Sequence, residues 1–246
     1  MKIKLGQKPY RKDDLESGSR PLYPSMVESP EHRWSFIRKV YSILTFQLLL
    51  TIAVGAVVVN VREIPNFFLS KGVGLALYIV LIIAPFIVLV PLYYYHQRHP
   101  VNYLLLGLFT VIIAFVVGLT CSLKHGKVVL EAMILTAVVV VSLTLYTFWA
   151  ARRGHDFNCL GPILFGALLV LTVFLLIQLV FPMGKWQVMI IAGAASIIFS
   201  GFIIYDTDNL IKRCSYDEYI WAAVSLYLDI MNLFLWIVAI ITDCDS

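Results

Sequence analysis

Seven apolar runs, 40–61, 72–95, 101–123, 128–151, 159–181, 186–206 and 219–242, occupy most of the chain, and only a few polar, Gly or Pro residues separate one from the next. Each meets the roughly 20 residues that a helix needs to cross a ~30 Å hydrocarbon core. Backbone amides in hydrocarbon must bond within their own segment, so runs of this length predict helices. The fold class that follows is an all-α integral membrane protein, a seven-transmembrane-helix bundle over residues 36–246. Residues 1–35 break the pattern: they are polar, dotted with proline, and too poor in apolar side chains to offset the entropy of ordering. They read as a flexible cytosolic tail with no part in holding the bundle together. No apolar stretch follows Met1, so targeting falls to the first span.

Within the spans, the informative positions are those that violate the pattern. The second run contains Pro85 and Pro91, the first of which should kink it, because proline removes a backbone bond and clashes with the preceding turn. The sixth run carries Gly193, Ala194, Ala195, Ser196, Ser200 and Gly201, small residues that permit close helix approach and predict a central place for this span. Glu131, four residues into the fourth run, reads as an interfacial carboxylate near a helix N-terminus. The stretches "GFIIYDTDNLI" (201–211) and "LYLDIMNLF" (226–234) are harder to explain, because an Asp at a helix centre costs about 2.5–3.5 kcal/mol on insertion scales. Such acids usually face the bundle interior and mark an ion or proton path.

Helical geometry sharpens the case. At about 100° per residue, Ala222, Ser225, Asn232 and Trp236 fall within about 60° of Asp229, while Tyr227, Met231, Phe234 and Val238 take the opposite face. Asp206 and Asn209 share a face, whereas Asp208 lies about 160° from Asp206 and reads as a solvated end charge. If the sixth and seventh spans are antiparallel neighbours, Asp206 and Asp229 approach each other, although Asp206 lies near the end of its run and Asp229 well inside. Two carboxyls in a low-dielectric site cannot both ionise cheaply, so one is expected to hold a proton. Such a pair suits a proton-sensitive latch, a ligand set for a hard cation, or a catalytic aspartyl dyad.

Composition agrees with the membrane reading: 60% of residues are hydrophobic and 14% charged, against ~25% charged in a soluble domain. Nine Lys or Arg in residues 1–39, ahead of the first run, and one, two and two in alternate loops make fourteen on one side, against five on the other. That asymmetry places the N-terminus in the cytosol, and seven spans then put the acidic "TDCDS" end on the far side. The net charge of +4 lies mostly on this rim, facing lipid headgroups, and is no nucleic-acid signal. Cys121, Cys159, Cys214 and Cys244 form no CxxC pair, and the five histidines show no ligand spacing, so neither a disulfide framework nor a zinc site is expected.

The stretches "FIRKVYSILTFQLLLT" at the first span, "SGFIIYDTDNLI" at the sixth and "EYIWAAVSLYLDIMNLF" at the seventh resemble the transmembrane Bax-inhibitor-motif family and, within it, the Lifeguard branch. The resemblance covers roughly residues 30–242. It implies a multi-pass protein of the endoplasmic reticulum, Golgi or a related endomembrane that permits pH-sensitive calcium leak and suppresses cell death. It further implies that an aspartate pair on the last two helices controls the pore, the matching positions being Asp206 and Asp229. A basic partner from the second helix belongs to the family picture, and Arg98, just past that span, is the nearest candidate.

The leading expectation is therefore a calcium-permeable leak channel in the lipid bilayer, not an enzyme. It has no tightly bound cofactor, and calcium ions are what it passes. Calcium takes six to eight oxygens; Asp206 and Asp229, with Asn209 and Asn232 in support, supply only some, which suits a weak, transient metal site from which an ion can leave. The alternative is a membrane scaffold that restrains cell death by binding regulatory membrane proteins, without ion flux of its own. An intramembrane aspartyl protease is disfavoured because "LYLD" stands where a GxGD motif is required and no PAL motif follows. A receptor would need the opposite orientation.

Overall fold

The computed structural model describes residues 21–26, 28–68, 70, 72–181 and 184–244, and residues 1–20 of the expected tail lie outside them. The described elements are helical: α1 (Pro30–Asn60), α2 (Glu63–Phe68), α3 (Val73–Tyr95), α4 (Val101–Ser122), α5 (Gly126–Arg152), α6 (Leu160–Val180), α7 (Lys185–Lys212) and α8 (Tyr219–Cys244), with a single 3-10 turn at Tyr216–Glu218. All but the short α2 are long and apolar enough to span a membrane.

Two boundaries differ from the hydropathy pattern, and both matter. The first helix begins at Pro30, not after residue 35, because proline's fixed φ suits the first turn of a helix. Its buried face then runs Arg33, Phe36, Ile37, Val40, Leu44, Gln47, Thr51 and Val58, steps of three, four and seven that keep one stripe inward. Just before it, Leu22 is 3% exposed and belongs to the same apolar core, so the segment after residue 20 is packed and the expected flexible tail ends earlier. At the other boundary, α7 continues through Asp206 to Lys212. Helix α3, by contrast, runs through Pro85 and Pro91 as one element with only Gly74 and Leu92 buried, and Tyr93, Tyr94 and Tyr95 at its end are exposed.

Helix α8 is the axis of the bundle. Tyr219, Ile220, Ala223, Val224, Leu226, Tyr227, Ile230, Leu233 and Val238 are buried on one half of the helix, the other half is partly buried, and no residue from Tyr219 to Thr242 is exposed. It packs against α7, α1, α5 and α4. The sixth span, α7, is therefore a neighbour of the axis: Ala192, Ala195, Phe199 and Ile203 face inward while Ile190 and Ile197 face lipid. Its Gly201 lets α6 approach, since a Cβ there would stand 2.7 Å from Leu164 Cδ2. Helices α1 and α4 are drawn together in the same way, a Cβ on Gly118 falling 3.1 Å from the Gly55 Cα.

The face from which α1 starts also holds the α3–α4 and α5–α6 connections and the α7–α8 elbow. There the end of α7 is tied down by charge. Asp208 is fully buried; its Oδ1 pairs with Lys212 Nζ at 2.5 Å, and its Oδ2 accepts the Phe157 N–H at 3.3 Å and lies 3.5 Å from Arg213 Nη1. Lys212 also donates to the His155 carbonyl at 2.5 Å, and Arg213 Nη2 pairs with Asp156. Asp208 is thus no solvated end charge. The six residues by which α7 outruns its apolar stretch carry it beneath the α5–α6 loop, where the carboxylate must be paired.

Burial raises the Asp156 carboxyl, but hydrogen bonds from Arg213 and the Asn158 N–H, with the charges of Arg213 and Lys212, outweigh it and hold it below its ordinary value. A carboxyl lowered on folding contributes stability above its unfolded pKa of ~3.9 and loses it as pH falls through the lower folded value. This tie is therefore intact throughout the physiological range and is not the pH-sensitive element. Asp208→Asn should destabilise the detergent-solubilised protein by about 3 kcal/mol, since breaking a buried pair strands the other charge. Asp156→Asn, at an exposed carboxylate, should cost much less. Thermal unfolding of the two variants checks the order, and equal shifts would contradict it.

Candidate functional site between α7 and α8

The elbow decides the geometry of the last two helices. Arg213 and Cys214 N–H both bond back to Asn209 O, at 2.8 and 2.9 Å, ending α7. The Glu218 carboxylate then accepts the Ser215 N–H at 3.0 Å and starts the next turn. So short a connection makes α7 and α8 antiparallel neighbours, and they share the most extensive helix contact in the bundle. Because α7 ends at Lys212, Asp206 lies six positions inside it, about 9 Å from its end at 1.5 Å per residue. That extra turn and a half narrows the difference in depth that the apolar runs suggest, since Asp229 lies ten positions, about 15 Å, inside α8.

The Asp206 and Asp229 carboxyls face each other closely enough to interact across the α7–α8 interface. An ionised carboxylate only accepts hydrogen bonds, so two of them side by side offer each other no donor. Asp229 is 7% exposed, and its Oδ2 has no hydrogen-bond partner among the described residues. Asp206 has a second partner in Asn209. The Asn209 Oδ1 is taken by Arg213 Nη1 at 2.7 Å, which leaves its amide N–H₂ for the carboxylate. A continuous polar chain thus runs from Asp229 through Asp206, Asn209 and Arg213 to Asp156 on the α5–α6 loop.

Other expected members sit elsewhere. Asn232 turns its Nδ2 to Leu228 O, 2.8 Å away in its own helix, and Ser225 is half-buried one turn before Asp229. Arg98 is not the basic partner of the pair: it is exposed and its guanidinium lies over Tyr95, 5.6 Å from the ring centroid. It follows the last turn of α3, too near the interface to reach the pair. Glu131 is exposed and 3.6 Å from Lys127 Nζ, one turn earlier, as an interfacial carboxylate should be. Among the described residues no cluster of three or more His, Cys, Asp or Glu could hold a metal ion. Two carboxyls and one amide fall short of the six to eight oxygens of a calcium cage.

Three features were missed by the sequence reading. Asp208 and Lys212 carried an i,i+4 signal that the helix end assumed at 206 concealed. Arg33, 4% exposed, donates from Nη1 to Cys214 O in the elbow at 2.7 Å; no pattern in the sequence announces that contact, which spans most of the chain. The third is a polar seam on the far side of α8, where Thr51 Oγ1 and Tyr227 OH are 2.8 Å apart and Gln47 Nε2 donates to Thr110 Oγ1 at 3.1 Å. Tyr227 was read as part of an apolar face. In the elbow itself, burial first, then the negative charges of Glu218 and Asp206, push the Cys214 thiol up to about 11, so it stays an unreactive thiol at neutral pH.

Comparison with known proteins places this geometry in a family. The family profile described as "Inhibitor of apoptosis-promoting Bax1" matches residues 33–245, a range that includes Arg33, both aspartates and every spanning helix. Protein LIFEGUARD 3 of Arabidopsis thaliana is 68% identical, the match covering 95% of this chain and 96% of the relative. Protein lifeguard 4 of Mus musculus is 36% identical over 82% of each chain. The Golgi anti-apoptotic protein of Vaccinia virus (strain Lister) is 34% identical over 91% of this chain and 90% of its own. The seven-helix bundle with its buried α7–α8 carboxyls therefore belongs to the Bax-inhibitor family of cell-death-suppressing membrane proteins, in its Lifeguard branch.

Proposed function

We propose that the protein is a pH-sensitive, calcium-permeable leak channel of intracellular membranes, and that it suppresses cell death by this leak. The gate is the Asp206–Asp229 pair, and the observation that carries the reading is that these two carboxyls face each other across the α7–α8 interface. With one proton shared, the two helices are held together. With that proton lost, two like charges face each other in a low-dielectric site and the interface is driven apart. The carboxylates so exposed are hard oxygen ligands, too few to retain calcium and sufficient to pass it on. The chain is not an enzyme in this reading and needs no bound cofactor; calcium is the cargo.

The membrane is the endoplasmic reticulum, the Golgi or a related one, a placement supported by the printed name of the viral relative. The N-terminal face is cytosolic, as the fourteen-to-five distribution of basic residues argues. In a protein freed of its native cysteines, Ser25→Cys should be labelled from the cytosol and His125→Cys from the lumen. The reverse pattern would invert the orientation.

The gate is tested in liposomes containing only the purified protein. Calcium flux should vary with pH in the unaltered chain, and Asp206→Asn and Asp229→Asn should each change the flux and flatten its pH profile. Because the carboxyls act as one unit, the double substitution should add much less than the sum of the singles. Additive effects, or pH profiles unchanged in both single variants, would sink the gate. Absence of flux in partner-free liposomes would instead favour a scaffold that acts through cell-death regulatory membrane proteins.

A further inference from the structure

The described residues before α1 close over the elbow. Leu22 is buried in the core, and Pro24 Cγ lies 3.4 Å from the place of a Cβ on Gly154, in the α5–α6 loop. Glu28 then makes the principal contact. Its Oε1 accepts Arg33 Nε at 2.6 Å and lies 2.5 Å from Nη2, while its Oε2 accepts the Tyr216 hydroxyl at 2.6 Å. The same guanidinium donates to Cys214 O and stacks over the Tyr216 and Phe36 rings, 5.3 and 5.6 Å from their centroids. One nearly buried cation thereby fastens the N-terminal segment to α1 and to both ends of the elbow.

The position of these contacts gives them a consequence. The loop touched by Pro24 is the one that Asp156, through Arg213 and Asn209, links to Asp206. The elbow touched by Glu28 and Arg33 is the only covalent link between the helices that carry the pair. We propose that residues 22–26 with Glu28 form a strap, locked by Arg33 and Tyr216 across the α7–α8 elbow, that restrains the separation of these helices and has to detach for full opening. The inference rests on the aspartate pair being the gate. It assigns the N-terminal segment a regulatory contact where the sequence suggested a tail without one.

The lock is charge-assisted and its guanidinium is shielded from solvent, so the Glu28–Arg33 contact is stronger than a surface ion pair, and neutralising one partner should loosen it. In a cysteine-free background reconstituted in liposomes, Leu22→Cys should react with a maleimide at least tenfold more slowly than Ser25→Cys, which marks an exposed position of the same segment. Adding Glu28→Gln should bring the two rates together and raise calcium leak several-fold at a fixed pH. Tyr216→Phe, which removes only the hydroxyl donor, should move both readouts the same way by less. The paired reversal Glu28→Arg with Arg33→Glu, which rebuilds the ion pair but not the bond to Cys214 O, should recover slow labelling and low leak in part. Equal labelling of Leu22→Cys and Ser25→Cys without Glu28→Gln would overturn the strap, as would loosening without any rise in leak. If every version, the unaltered chain included, were silent in the flux assay, the leak reading would fall, while the labelling ratio would still decide whether the segment is fastened.

Discussion

The contact between two carboxyls, Asp206 and Asp229, is the constraint around which the α7–α8 interface is arranged. In water a pair of aspartates would simply ionise and separate; between two helices of a membrane bundle both cannot ionise cheaply, and among the described residues neither has a basic side chain as ion-pair partner. The contact has a precondition in the backbone. An elbow too short to let the helices diverge sets them side by side, and an α7 six residues longer than its apolar run lifts Asp206 off the interface and toward Asp229.

Around that contact, each helix has its own anchorage. Helix α7 is held from below: Asp208, Lys212 and Arg213 fasten its last turns to residues 155–157 of the α5–α6 loop. Helix α8 is held from the opposite side, by Tyr227 to Thr51 on α1, with Gln47 and Thr110 joining α1 to α4 one turn away. Polar groups at this depth need a partner inside the protein, so these contacts fix the helices more firmly than apolar packing alone would. On the proposed reading, both helices therefore stay attached to their own neighbours when the pair parts, and what separates is the seam between them.

The spans were legible in the sequence because crossing a bilayer sets a length that composition reveals directly. The polar stripe of α8 was legible too, since Asp229 interrupts an apolar run and helical periodicity fixes its face. What hydropathy hid were the turns at which a helix leaves the membrane and continues among charges. Residues 30–35, "PEHRWS", read as tail by polarity, yet they form the first turns of α1 and contribute Arg33. In the same way "DTDNLIK" read as a helix end, and Asp208 as a solvated charge, because the apolar run stops at 206 while the helix does not. Arg98 failed for the opposite reason: nearness in sequence to the second span suggested a reach that its place beyond the last turn of α3 denies.

The acidic groups of this structure stand in two kinds of surroundings. Asp156, flanked by Arg213 and Lys212, is held ionised below its ordinary range and ties the α5–α6 loop to the end of α7. Asp206 and Asp229 meet each other instead, and among the described residues neither forms an ion pair. On the proposed reading, a change of pH therefore acts at this interface and leaves the frame in place, because the frame's carboxylates are matched by cations and the pair's are not.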